Sequence, residues 1–165
     1  MANWKIYTNQ LGFTIEIPNS WKIYAADTST NPDDPVWNYL NHLEPNQLGI
    51  ISFRNDEEPY FNLSLDLKIS TNIKNLTSDS WAESFFVPLA TDPKTNLASP
   101  AGQLTISGLP AKRFNVFAFM GYNIITGIVY KNKIFEFSYL SEAGDPNSES
   151  KSQLYDQILS TFEFK

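Results

Sequence analysis

The run Lys112-Arg113-Phe114-Asn115-Val116-Phe117-Ala118-Phe119-Met120, then Tyr122-Asn123-Ile124-Ile125-Thr126-Gly127-Ile128-Val129-Tyr130, then Lys133-Ile134-Phe135-Glu136-Phe137-Ser138-Tyr139-Leu140 decides the fold. Each piece is rich in β-branched and aromatic residues, and only Gly121 and Lys131-Asn132 separate them. Gaps that short do not accommodate a crossover helix, so the three runs predict consecutive antiparallel strands in a meander. The middle run, with Ile124, Ile125, Ile128 and Val129, is apolar on both faces and is expected to be central.

Upstream, Phe61, Leu63, Leu65, Leu67 and Ile69 alternate with Asn62, Ser64, Asp66 and Lys68, which predicts a strand with one buried face. Leu48 to Phe53 reads as another strand, and Asp56-Glu57-Glu58-Pro59 as the acidic turn between the two. Trp4 to Thr8 and Phe13 to Ile17, joined through Asn9-Gln10-Leu11-Gly12, form a hairpin pattern that Pro18 stops; Trp21 to Tyr24 resumes an extended segment. Gln103 to Ile106 is a further strand, ended by the turn at Gly108-Leu109-Pro110, and 91–100 reads as loop.

Two segments carry helical spacing. From Thr77 to Phe86, Ser80 and Glu83 stand at capping-box distance, Trp81, Phe85 and Leu89 recur every four residues, and Pro88 is expected to keep the helix short. From Glu149 to Phe162, the stripe Leu154, Ile158 and Phe162 predicts an amphipathic helix packed on a sheet face. Strands, one helix, more strands and a final helix define an α+β domain of about seven strands in all. With 165 residues, the chain is expected to form one domain.

Composition excludes several functions. The formal charge of -6 opposes a nucleic-acid footprint and an anionic membrane surface. Zero cysteines remove disulfides, thiol catalysis and thiolate metal sites while leaving the compartment open. No apolar run reaches the roughly 18 residues of a spanning helix, and Met1-Ala2-Asn3-Trp4 lacks the opening of a secretory signal. Glycines such as Gly102 and Gly108 stand singly, without a phosphate-cradling pattern.

His42 is the sole histidine and has no Gly-x-Ser-x-Gly partner motif, so neither a triad nor a zinc site is expected, and no cofactor is implied. Asp33-Asp34 and Asp56-Glu57-Glu58 offer oxygen ligands in loops but not at EF-hand spacing. Trp37 and Tyr39, near His42 on an Asn- and Pro-rich stretch from Asp27 to Gln47, are either a binding platform or a plug at the end of the core. Candidate binding residues are therefore Trp37, Tyr39, His42, Asp56, Glu57 and Glu58. Trp21 and Trp81 read as structural, because strand and helix patterns demand apolar side chains there.

The segment Gly12-Phe13-Thr14-Ile15-Glu16-Ile17-Pro18-Asn19-Ser20-Trp21 resembles the opening of PsbP-like domains. The likeness continues at Gly108-Leu109-Pro110-Ala111-Lys112-Arg113-Phe114, around Tyr130 and Phe135, and at Ile158-Leu159-Ser160-Thr161-Phe162, in order along nearly the whole chain. It implies an α/β/α sandwich around a central antiparallel sheet of about six or seven strands. The family includes the extrinsic photosystem II subunit, other thylakoid-lumen proteins, a Ran-binding nuclear protein and small exported bacterial lipoproteins. It thus implies binding or assembly rather than catalysis. The stretch from Asp27 to Gln47 does not align with the photosystem subunit, so the chain is more similar to the exported bacterial group. The resemblance thereby implies a monomeric, non-enzymatic module of the cell envelope with a protein partner, held to a membrane only by an upstream lipid anchor. A thylakoid-lumen assembly factor, docking through its acidic loops, and a small hydrolase are the alternatives. The matching positions are structural, so the resemblance supplies no functional residue.

Overall fold

A computed structural model describes residues 3–27, 43–55, 64–91, 98–118, 121–142 and 144–165. In chain order these form β1 (Trp4–Asn9), β2 (Phe13–Pro18), β3 (Lys22–Asp27), β4 (Gln47–Arg54), β5 (Ser64–Thr71), α1 (Ser78–Thr91), β6 (Ala98–Ile106), β7 (Leu109–Ala118), β8 (Gly121–Tyr130), β9 (Lys133–Glu142), α2 (Ser148–Ser160) and β10 (Glu163–Phe164). Seven strands make one antiparallel sheet in the order β3-β4-β5-β9-β8-β7-β6, and β1-β2-β10 make a second, smaller sheet. The meander is as expected, though β9 rather than β8 occupies the middle of the seven.

Its hairpins are tight for a local reason. Ser107 (φ 52°) with Gly108 (φ 76°), and Lys131 (φ 43°) with Asn132 (φ 60°), are paired positive-φ residues whose twist matches that of the flanking strands. Register is fixed accordingly: Tyr130 faces Lys133, and Ile106 faces Leu109.

Alternation sends the two sides of the large sheet to different layers. From β8, Ile125 and Val129 pack with Trp81, Ala82 and Phe85 of α1, together with Phe114 and Ile134. Ile128 points the other way, joining Leu65, Leu67, Ile69, Phe135, Phe137 and Tyr139 against Tyr155, Ile158 and Leu159 of α2 and Phe13, Ile15 and Ile17 of the small sheet. Each fully buried side chain of this kind contributes about 1.5–3 kcal/mol relative to exposure. Phe162, stacked on Phe13 with ring centroids 5.0 Å apart, ties the C-terminal segment into that layer.

The protein is therefore sheet-dominated, ten strands against two helices among the described residues, and more β than the α+β sandwich expected. Helix α1 contacts β6, β7 and β8, while the opposite face is shared between α2 and a second sheet. Three local expectations also change. Helix α1 continues through Pro88 to Thr91, because proline forfeits one hydrogen bond and Trp81 and Ala82 already anchor the preceding turns. Its start is capped by Thr77 rather than Ser80: the Ser80 N–H donates to Thr77 Oγ1 (3.1 Å) and the Thr77 N–H donates to Ser80 Oγ (2.8 Å). Strand β6 begins at Ala98, inside the stretch expected to be loop.

Candidate functional site

Trp37, Tyr39, His42, Asp56, Glu57 and Glu58 lie outside the described residues, as do Asp33 and Asp34. Trp21 and Trp81 are structural as expected, at 2% and 4% exposure.

The described residues form a groove of about 330 Å³ between the first turns of α1 and the sheet margin. Asp79, Ala82 and Glu83 make its helical wall, Pro100, Gly102 and Gln103 of β6 the other, and Lys112, Arg113 and Phe114 of β7 the floor. Helical spacing explains the first wall: Asp79, Ala82 and Glu83 share one flank, while Trp81 and Phe85 pack downward on Phe114. A β-bulge shapes the second. Pro100 faces Phe114 and Gln103 faces Lys112, so Ala101 and Gly102 stand against Arg113 alone, and Gly102 takes φ 100° with open space where a Cβ would sit.

Strand β6 ends the sheet order, so among the described residues no strand covers its outer side. On the floor, Lys112 Nζ is ion-paired with Asp79 Oδ1 at 2.5 Å, joining β7 to the first turn of the helix. Arg113 alternates to the opposite face, where it donates to Asp156 of α2 and to Thr126. Glu83 is exposed at the mouth, and no described residue forms an ion pair with it. The lining holds no histidine, cysteine, serine or threonine; its charged groups are Asp79, Glu83, Lys112 and Arg113.

A second polar cluster lies on the α1 side of the sheet, over β3, β4 and β5. The Ser52 hydroxyl donates to Asp66 Oδ1 (2.5 Å), Arg54 Nε donates to Ser52 Oγ (2.8 Å), and the Arg54 guanidinium lies 5.4 Å from the centroid of the Tyr24 ring. Burial pushes the Asp66 carboxyl above its ordinary range, against the opposing pull of the Ser52 hydrogen bond and of Arg54. At 1% exposure, donating to Asp66 and accepting from Arg54, the Ser52 hydroxyl is a buried link between β4 and β5. On the other face, burial raises the Tyr139 and Tyr155 hydroxyls; their stacked rings are 4.0 Å apart.

Several cations are engaged within the chain. Lys68 pairs with Glu136 and Lys151 with Asp145, whereas Lys5 and Lys133 donate to main-chain carbonyls of Trp21 and Leu11. Asp145 is held below its ordinary range by hydrogen bonds from Lys151 and the Asn147 N–H. Among the described residues no group of three or more histidine, aspartate or glutamate side chains is placed to hold a metal ion, and no helix is long and apolar enough to cross a membrane.

The groove residues Asp79 and Gln103 stand in no motif, and Lys112 lies in the Gly108-to-Phe114 segment, which reads as structural. An isolated glycine ahead of a short strand, Gly102, was the one available sign, since such glycines often accompany bulges.

No protein-family model matches the chain, and no curated protein matches it at a significant level. Solved structures do. Cyanobacterial PsbP (CyanoP) from Synechocystis sp. PCC 6803 aligns over 100% of this chain and 94% of its own, with TM-score 0.61 and 14% identity. The T6SS immunity protein TplEi from Pseudomonas aeruginosa, solved in complex with "L" peptide, aligns over 98% of each chain with TM-score 0.56 and 9% identity. The Saccharomyces cerevisiae Ran-binding protein Mog1p aligns over 99% of this chain and 96% of its own at TM-score 0.48 and 11% identity. The chain thus has the PsbP-like fold, as the motifs of its opening, middle and close implied.

Proposed function

We propose that this protein is a non-enzymatic binding or assembly module that recognises another polypeptide through the groove between α1 and β6. The observation carrying this reading is the coincidence of a shaped groove with a strand edge that no strand covers among the described residues. Edge strands admit a partner's backbone, and the adjoining groove gives its side chains a place. A protein of the same fold solved with a bound peptide lends support.

The chain is read as one PsbP-like domain, and its place as the cell envelope, exported and held by an upstream lipid anchor. The likeness to a cyanobacterial PsbP over the whole chain supports that placement and favours, as second reading, a thylakoid-lumen assembly factor. Trp37, Tyr39, His42 and the acidic run Asp56-Glu57-Glu58 remain proposed as secondary contacts.

The test is crosslinked capture from the native host, with wild-type bait beside Gln103→Trp, which fills the groove from an exposed position. A partner retained by the wild type and lost from the variant supports the reading. Capture that is unchanged by the substitution refutes the groove as the recognition surface.

A further inference from the structure

The groove's charge and shape define its occupant more narrowly, on the premise that it is the recognition surface. We propose that it takes an extended, basic segment of a partner, laid along β6, with a lysine or arginine side chain entering the groove beside Ala82 and Phe114 to meet Glu83.

Three observations converge. First, β6 is the last strand of its sheet, with no strand over its outer side among the described residues, and such an edge suits a strand-like backbone rather than a helix, which needs a broad apolar trough. Second, the groove is small, about 330 Å³, with apolar surface from Ala82 and Phe114 beside Lys112, and with Asp79 and Glu83 on its helical wall. One long side chain fits such a space, its methylene stem on Ala82 and Phe114 and its charged end at the rim. Third, Lys112 is already neutralised by Asp79, leaving Glu83 at the mouth with no described counter-ion. Across the molecule the net balance is also acidic: Lys68, Arg113 and Lys151 are ion-paired within the chain, and the formal charge is -6. An acidic segment would meet like charge at Glu83 and a net negative chain, whereas a basic one is steered in.

The test uses three fluorescein-labelled peptides, Thr-Val-Lys-Val-Lys-Val-Thr and its versions with glutamine or glutamate in place of lysine, read by fluorescence anisotropy and by amide NMR shifts. The lysine peptide is expected to bind tighter than the glutamine peptide by about two- to fivefold for each ion pair formed. The glutamate peptide is expected to bind weakest, and shifts should concentrate in β6 and the first turns of α1. Glu83→Gln, an exposed helix substitution, should erase the lysine preference without changing the melting temperature. Equal binding of the lysine and glutamine peptides, a preference that survives Glu83→Gln, absence of binding by all three, or shifts centred elsewhere would each overturn the proposal. If the lysine preference fails while host capture is still abolished by Gln103→Trp, the basic occupant falls and the groove stands; if capture is also insensitive, both fall.

Discussion

Gly127 lies in the middle of β8, where a side chain would ordinarily strengthen the strand. A Cβ there would stand 2.0 Å from Trp81 Cη2 and 2.1 Å from Cζ3, so the indole of α1 rests directly on bare backbone. Gly127→Ala is expected to destabilise the protein by at least about 1–3 kcal/mol, the usual cost of overpacking. In a Trp81→Phe background the same substitution should cost markedly less, and a double-mutant cycle by urea unfolding measures the difference. Trp81 reads as structural from its helical spacing, whereas Gly127 is not singled out, although a mid-strand glycine is the kind of residue that accompanies a close approach. What joins them is the height of α1 over β8, a tertiary quantity. Asp66 is the second residue with an uncommon environment. Because burial raises its folded pKa above the ordinary 3.8, stability from this group is fully present below that value and is lost as pH rises through the folded pKa. Asp66→Asn is thus expected to melt higher than wild type at neutral pH. The gap should close as pH falls toward 3.8, and scanning calorimetry across that window checks both the sign and the closure.

Helix α1 separates what element-scale patterns carry from what they do not. Spacing of Trp81 and Phe85 located the helix, but its ends were set by events outside that pattern. Thr77 and Ser80 exchange two hydrogen bonds at the start, and the turns before Pro88 are held by packing on β7 and β8. Thr77→Ala should therefore cost about 0.5–2 kcal/mol, the range for a lost cap. Ser80→Ala, which leaves Thr77 Oγ1 in place to accept the Ser80 N–H, should cost less; urea midpoints that rank the two in the opposite order would return the cap to Ser80. Helix α2 was legible almost throughout, yet Phe162, which the stripe assigned to it, is buried beyond its end at Ser160. Directly after it comes β10, Glu163–Phe164, paired to β2; a strand that short has no pattern of its own and exists because Phe13 and Thr14 offer an edge. The meander was the most legible part, since tight turns and alternation are both local. The groove was the least, since a bulge, a helix flank and a sheet margin share no sequence neighbourhood.

At the scale of the whole molecule, one sheet serves two cores. Strand β8 gives Ile125 and Val129 to the α1 side and Ile128 to the other; β9 gives Ile134 to the first and Phe135, Phe137 and Tyr139 to the second. Neither layer can leave without stripping one face of strands that the other layer still needs. The chain's beginning and end are joined as well, through β2 with β10 and the Lys165 N–H donating to the Gly12 carbonyl. Such mutual dependence predicts a single cooperative transition. Trp21, against Tyr155 on one side, and Trp81, against Phe114 on the other, are built-in reporters of the two layers. In protein labelled with fluorotryptophan, their fluorine NMR signals, assigned by Trp21→Phe and Trp81→Phe, are expected to vanish at the same urea concentration. If the Trp81 signal is lost first, α1 opens as a separate unit, and the groove it walls would be a surface that forms and dissolves apart from the sheet; coincident loss makes that groove as durable as the fold itself.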